Sequence, residues 1–178
     1  MRGAGPQLQV IPPRILLSGL PDGGKTTLGH TLAADHGFLH ADMEANGWAL
    51  AKAAHWAPEA FLRAFPYDRD VVLTWGFHPF ESLHVVQVLV REGLTPVWLD
   101  GNRAQFLASF IRREHCSPTM EALYRQQLGR ITQARIVESI DWRIVDPFRP
   151  DGTFRPVGEV AADIIKVALP RETSPGQR

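Results

Sequence analysis

The residues best suited to chemistry lie close together near the start of the chain. Gly19-Leu20-Pro21-Asp22-Gly23-Gly24-Lys25-Thr26 puts three glycines, a lysine and a hydroxyl into one short run, and Thr27 adds a second hydroxyl. Gly19, Gly23 and Gly24 allow positive φ, so successive backbone N–H groups can converge on one point and hold an anion. Lys25 adds a compact positive charge. The Thr26 hydroxyl is a hard oxygen donor of the kind Mg²⁺ takes. Together these types can grip a phosphate chain and its metal ion. Every fixed position of G-x-x-x-x-G-K-[ST] is met. The competing reading is a glycine-rich turn that contains a lysine.

The flanks decide between the two. Ile15 to Ser18 is strand-like, and Thr26 to Ala34 is helix-like, with Leu28 and Leu32 on one face. A helix starting near Gly24 would aim its N-terminal dipole at the same anion. Further along, apolar strand-like runs alternate with helical patterns. Strands are expected at Arg14–Ser18, Phe38–Ala41, Asp70–Gly76, Thr95–Asp100 and Trp142–Asp146. Helices are expected from the loop to His36, across 42–66 with a break at Pro58, and at Phe80–Glu92 and Arg103–Glu114. Two more are expected at Thr119–Glu138 and Val157–Leu169. This alternation predicts an α/β fold with a parallel sheet and helices on both faces. The loop then falls at the carboxyl end of the first strand, where such sheets bind ligands.

Composition narrows the classes. The chain has 178 residues, 44% of them hydrophobic, with zero formal net charge and one cysteine, Cys116. Length and patterning predict a single domain over 1–178, with loose ends at 1–13 and 170–178. Balanced charge and the lack of a base-reading motif weigh against a nucleic-acid partner. No apolar run is long enough for a membrane span, and no signal peptide is visible. A cytoplasmic protein, monomer or homodimer, is the expectation, and a lone cysteine fits a reducing compartment.

From Arg14 to Leu169 the chain resembles the small P-loop kinases, which include nucleoside monophosphate, shikimate and gluconate kinases. The resemblance implies a three-layer fold with a five-stranded parallel sheet in order 2-3-1-4-5. It also implies a short lid, here about 115–119, and ATP and Mg²⁺ as cofactors. Gly19 through Thr27 are implied to hold the nucleotide phosphates. VWLDGNRAQFLASFIRRE is similar to gluconate kinases and places the phosphate-contacting lid arginine at Arg113, with Arg112 as the alternative. Ser109 stands where that family often has an arginine against the adenine. WRIVDPF resembles the strand and loop that pass the base, which puts Pro147 to Asp151 beside it. HADME and VVLTWGFHP are similar to segments of monophosphate kinases, with two departures. No arginine follows Met43 to hold an acceptor phosphate. Thr74-Trp75 replaces the Leu-Asp expected at the end of the third strand. Both departures weigh against a nucleotide acceptor, and the second removes the usual carboxylate behind the metal.

Other residues must then complete the site. Asp42, at the end of the second strand, is the first candidate, as proton acceptor from the substrate hydroxyl and as metal partner with Thr26. It also suits a helix N-cap. Glu44 is a second acidic candidate and also suits a helix's first turn. Trp75 and His78 follow the third strand and could contact a sugar-like acceptor, or pack and turn the chain. Trp48 and Trp56 could wall the same pocket or be buried. Asp100 reads as turn chemistry in Asp-Gly-Asn. The histidines lack the spacing of a zinc site. Arg125, Arg130 and Arg135 spread around one helix as a solvated face, with Arg130 able to close on phosphate.

The expected function is ATP-dependent transfer of a γ-phosphate to a hydroxyl of a small metabolite, sugar-like compound or antibiotic. Lys25, Asp42 and Arg113 would do the work. The alternatives are a nucleoside or nucleotide kinase, and a nucleotide-binding accessory protein without catalysis.

Overall fold

The structure, a computed structural model, describes residues 12–66, 68–76, 79–114 and 117–169. Side chains at positions 79, 80, 113 and 114 lie outside that description. So do His78, residues 115–116 of the expected lid, and most of both expected loose ends.

The order of elements is β1 Arg14–Gly19, α1 Lys25–His36, β2 Leu39–Asp42, α2 Ala45–Trp56, α3 Pro58–Arg63, β3 Val71–Thr74 and α4 Pro79–Arg91. It continues through β4 Thr95–Leu99, α5 Arg103–Glu114, α6 Pro118–Gln133, α7 Ile136–Ser139, β5 Arg143–Val145 and α8 Val157–Ala168. The strands form one parallel sheet in the order β2-β3-β1-β4-β5.

Alternation along β1 shows why the sheet sits in the middle. Ile15 and Leu17 face one layer with Leu28 and Leu32 of α1 and Val160 and Ile164 of α8. Leu16 faces the other with Met43, Trp98, Phe106 and Ile131. All three β1 side chains are fully buried. An unbroken apolar strand therefore feeds both layers, and each buried leucine or isoleucine contributes about 1.5–3 kcal/mol of transfer free energy.

Two stretches depart from the sequence expectation. The helix expected over Thr119–Glu138 breaks: α6 stops at Gln133, and Arg135 takes a φ of 48° before the one-turn α7. The turn lets Ile136 enter the core, and its carbonyl accepts the Trp142 indole N–H at 2.9 Å. Between Asp42 and Pro66, Pro58 opens α3, as a residue without an N–H can at a first helical position. Within α2, however, Asn46, Gly47 and Trp48 are all left-handed, at φ 52°, 65° and 66°. Asn and Gly adopt that region easily, and Trp48 does so at a cost.

Candidate active site

The loop after β1 is shaped by a close approach. Gly19 has a φ of 145°, and a Cβ there would lie 2.4 Å from the Leu99 carbonyl oxygen of β4. Only glycine lets the chain leave β1 in that direction. Asp22 and Gly24 follow at φ 64° and 79°. Gly24 occupies the N-cap of α1, no side chain among the described residues caps it, and the first turn holds no acid. The first amides of α1 are thus left for a ligand, and the helix dipole favours a negative one. The Lys25 ammonium bends back over the loop, donating to the carbonyls of Leu20 at 3.1 Å and Gly19 at 3.4 Å. The Tyr124 hydroxyl of α6 donates to the Pro21 carbonyl at 2.9 Å and ties that helix to the loop.

The end of β2 and the turn into α2 deliver the acids. Thr26 Oγ1 donates to Asp42 Oδ2 at 3.1 Å, and the Glu44 N–H donates to Asp42 Oδ1 at 2.9 Å. Asp42 therefore turns the chain locally and also reaches the loop threonine. It is not the N-cap of α2, because the helix begins at Ala45 with Glu44 in the cap position. Glu44 Oε1 accepts the Gly76 N–H at 3.1 Å. A Cβ at Gly76 would fall 2.8 Å from Glu44 Oε1 and 3.4 Å from Lys25 Cε, so this glycine sits between the acid and the lysine. Lys25, Thr26, Asp42 and Glu44 form one cluster.

Two cavities flank the loop. The larger, about 690 Å³, runs from Asp22, Gly24 and Thr27 past Ser109 and Arg112 to Pro147 and the Gly152–Val157 segment. An isolated antiparallel pairing of Phe148 with Phe154 shapes that rim. Asp163 and the Asp146 carbonyl both hold the Arg155 guanidinium there. The smaller cavity, about 280 Å³, is lined mostly by loop residues between Gly19 and Thr27, and Glu44, Gly76, Trp98, Gln127 and Ile131 complete its walls.

Not every residue singled out in the sequence reaches these cavities. Pro147 and Arg112 line the larger one, as does Ser109. Glu44 lines the smaller. Trp75 is 2% exposed and belongs to the core under the site, where its carbonyl accepts from Ser18 Oγ. Trp48 and Trp56 are neither buried nor lining either cavity; Trp56 is 86% exposed. Asp100 is held in its turn by the Gly101 N–H and the Trp98 indole. The Arg113 side chain and His78 lie outside the described residues.

Sequence reasoning missed Gln127, Ile131, Gly76 and a brace behind α1. His40 Nε2 lies 3.0 Å from Thr74 Oγ1, and its ring meets His30 edge-on at 4.8 Å. Burial and then the nearby His30 hold its pKa below the ordinary value, partly opposed by Asp42. A Cβ at Gly29 would lie 2.4 Å from His40 Nε2, so Gly29 lets α1 settle on β2. A small residue on a helix face otherwise formed by Leu28 and Leu32 was the available signal.

The sheet order, the loop at the end of β1 and the helices on both faces define the P-loop kinase fold. Solved structures place the chain there directly. It is similar to a shikimate kinase from Acinetobacter baumannii in complex with shikimate, at 16% identity and a TM-score of 0.61, covering 92% of this chain and 96% of that one. It is also similar to a gluconokinase from Sinorhizobium meliloti 1021, at 19% identity and a TM-score of 0.58, covering 88% and 94%. A shikimate kinase from Aquifex aeolicus vf5 matches at 19% identity and a TM-score of 0.52, covering 86% and 94%. No protein-family model matches the sequence, and neither does any curated protein. Among the described residues no helix is long and apolar enough to cross a membrane.

Proposed function

We propose that this chain is a cytoplasmic, ATP- and Mg²⁺-dependent phosphotransferase that moves a γ-phosphate to a hydroxyl of a small metabolite or sugar-like acceptor. One observation carries the reading. A loop of phosphate-cradle geometry lines most of a small cavity and the edge of a nucleoside-sized one, and two carboxylates, a lysine and a threonine gather beside it.

The residues fit the groups they would hold. Gly19 admits no side chain, and the uncapped amides of α1 suit phosphate oxygens. Thr26 and Asp42 would hold Mg²⁺, an ion that keeps water and phosphate oxygens as most of its ligands. Bound there, the ion neutralises charge on the transferring phosphoryl group. Lys25 would exchange its two loop carbonyls for phosphate oxygens. Arg113, or Arg112 on the rim of the larger cavity, would close on the same group, and Pro147 with its neighbours would flank the base.

Both oxygens of Asp42 are engaged, by Thr26 and by the Glu44 N–H. Glu44 uses one oxygen on Gly76 and lines the smaller cavity opposite the loop residues. Asp42 therefore serves the metal side, and Glu44 would orient the acceptor hydroxyl and take its proton. Trp75 acts from beneath as support, and His78 follows it in sequence as a further acceptor contact.

The test is a panel of hydroxylated metabolites and antibiotics incubated with Mg·ATP and screened for the mass gain of one phosphate, with Lys25→Ala as control. Transfer that depends on Lys25 is the expected result. Mg·ATP binding without transfer to any member would favour a nucleotide-binding accessory protein.

A further inference from the structure

One bond in the loop comes from far along the chain. Leu20, Pro21, Asp22 and Gly23 form a β-turn, closed by the Gly23 N–H donating to the Leu20 carbonyl at 3.3 Å. Pro21 holds the second position, where its ring fixes φ at about −65°. Asp22 holds the third, with a φ of 64°. Those signs define a type II turn, which ordinarily takes glycine or asparagine at the third position. An aspartate there is strained relative to a type I turn, in which the third residue has negative φ and the peptide between Pro21 and Asp22 is turned over.

The Tyr124 hydroxyl acts on that same peptide. It donates to the Pro21 carbonyl at 2.9 Å, across 103 residues of sequence. Its ring is 2% exposed and stacks on Phe110 of α5 with centroids 4.2 Å apart, so two packed helices set the position of the hydroxyl. No described peptide bond is cis. A trans peptide directs its C=O and N–H to opposite sides. Holding the Pro21 carbonyl toward α6 therefore also holds the Asp22 N–H away from that helix. Asp22 borders both cavities beside the loop.

Resting on the phosphotransferase reading above, we infer that Tyr124 is a positioning residue for the phosphate cradle. Its hydroxyl keeps the Pro21–Asp22 peptide in the type II orientation, and the Asp22 N–H becomes a donor to the phosphate chain beside the first amides of α1. Turning that peptide over would present a carbonyl oxygen to the anion where a donor is needed. The same ring leans on α5, whose Arg112 lines the larger cavity, so the cradle and the arginine-bearing helix share one fixed point.

The experiment measures binding of Mg·ATP, and of inorganic tripolyphosphate, which has no base, to wild type, Tyr124→Phe, Asp22→Gly and the double variant. Tyr124→Phe keeps the ring and its stack on Phe110 and removes only the hydroxyl. It should weaken both ligands by about five- to tenfold. Glycine accepts a type II turn unaided, so in the Asp22→Gly background the same change should weaken them by less than about twofold. A packing role for Tyr124 would not depend on what stands at position 22. Equal losses in the two backgrounds, or no loss in either, would overturn the inference and leave the phosphotransferase reading standing. Failure of the wild type to bind both Mg·ATP and tripolyphosphate would sink the two together. Amide exchange on the wild type gives a second measurement that needs no variant to fold. Saturating tripolyphosphate should protect the Asp22 N–H, and an Asp22 amide that exchanges as fast with the ligand as without it would also overturn the inference.

Discussion

The two sides of the site are built from different kinds of sequence. The phosphate cradle is one contiguous run, Gly19 to Thr27, and its geometry comes from backbone: three glycines, a helix start and the closeness of Leu99. The proposed acceptor side is assembled from segments after β2 and β3, from β4 and from α6, through the side chains of Glu44, Trp98 and Gln127 and the backbone of Gly76. A backbone-built site tolerates almost no substitution at its turn positions and declares itself in the sequence. A side-chain site can be re-specified one residue at a time, and no local pattern announces it.

Substitutions on the two sides should therefore fail differently, and the largest loss should come from the loop. Lys25→Ala is expected to lower single-turnover phosphoryl transfer by about 10³-fold or more, the scale of losing a charge-stabilising group in a preorganised site. Gly19→Ala should destabilise the fold by about 3 kcal/mol or more, since the new Cβ meets a backbone carbonyl at 2.4 Å and φ stays positive. Urea denaturation measures that; an unchanged midpoint would mean the loop is not held by Leu99. On the acceptor side, Glu44→Gln should reduce kcat/KM by about 10²-fold while the Kd for Mg·ATP stays put. A matching loss of nucleotide affinity would erase the distinction between the two sides.

Smaller effects sharpen the same contrast behind α1. Gly29→Ala pushes His40 away and should cost about 1–2 kcal/mol of stability, with the cradle sequence untouched. His40 also predicts a pH effect. Its folded-state pKa is lowered from 6.5 by burial and His30, so the folded state prefers the neutral ring. Below 6.5 the unfolded chain binds more protons than the folded one. Stability is therefore full above that pH and declines as the pH falls from there toward the folded value. Chemical denaturation of wild type and His40→Gln at several pH values checks this, because the variant should lose that part of the slope.

The legibility of the chain follows the same division. The parallel sheet could be read because β1 is apolar at every position from Ile15 to Leu17 and because strands and helices alternate, and its order followed from the resemblance to small P-loop kinases. The α6–α7 break could not, because the left-handed Arg135 has no sequence signature; the turn is stabilised by Ile136 entering the core and by Trp142 reaching its carbonyl. Asp42 could be singled out as a candidate from its place at the end of β2. Its bond to Thr26 depends on how closely α1 lies against that strand, which Gly29 permits. Trp48 and Trp56 show the opposite error. Tryptophan type points to burial or a pocket wall, yet Trp56 stands largely in solvent and Trp48 is nearly half exposed along α2.

By itself, the sequence determined the cradle. Positive φ, the helix start and a lysine next to a hydroxyl are properties of neighbours in the chain, so local covalent geometry is enough to specify an anion site. Only the tertiary structure decided what faces that cradle. Glu44, Gly76 and Gln127 meet there because parallel strands and their crossover helices bring distant segments to one sheet edge, and that meeting depends on packing between layers rather than on any spacing along the chain.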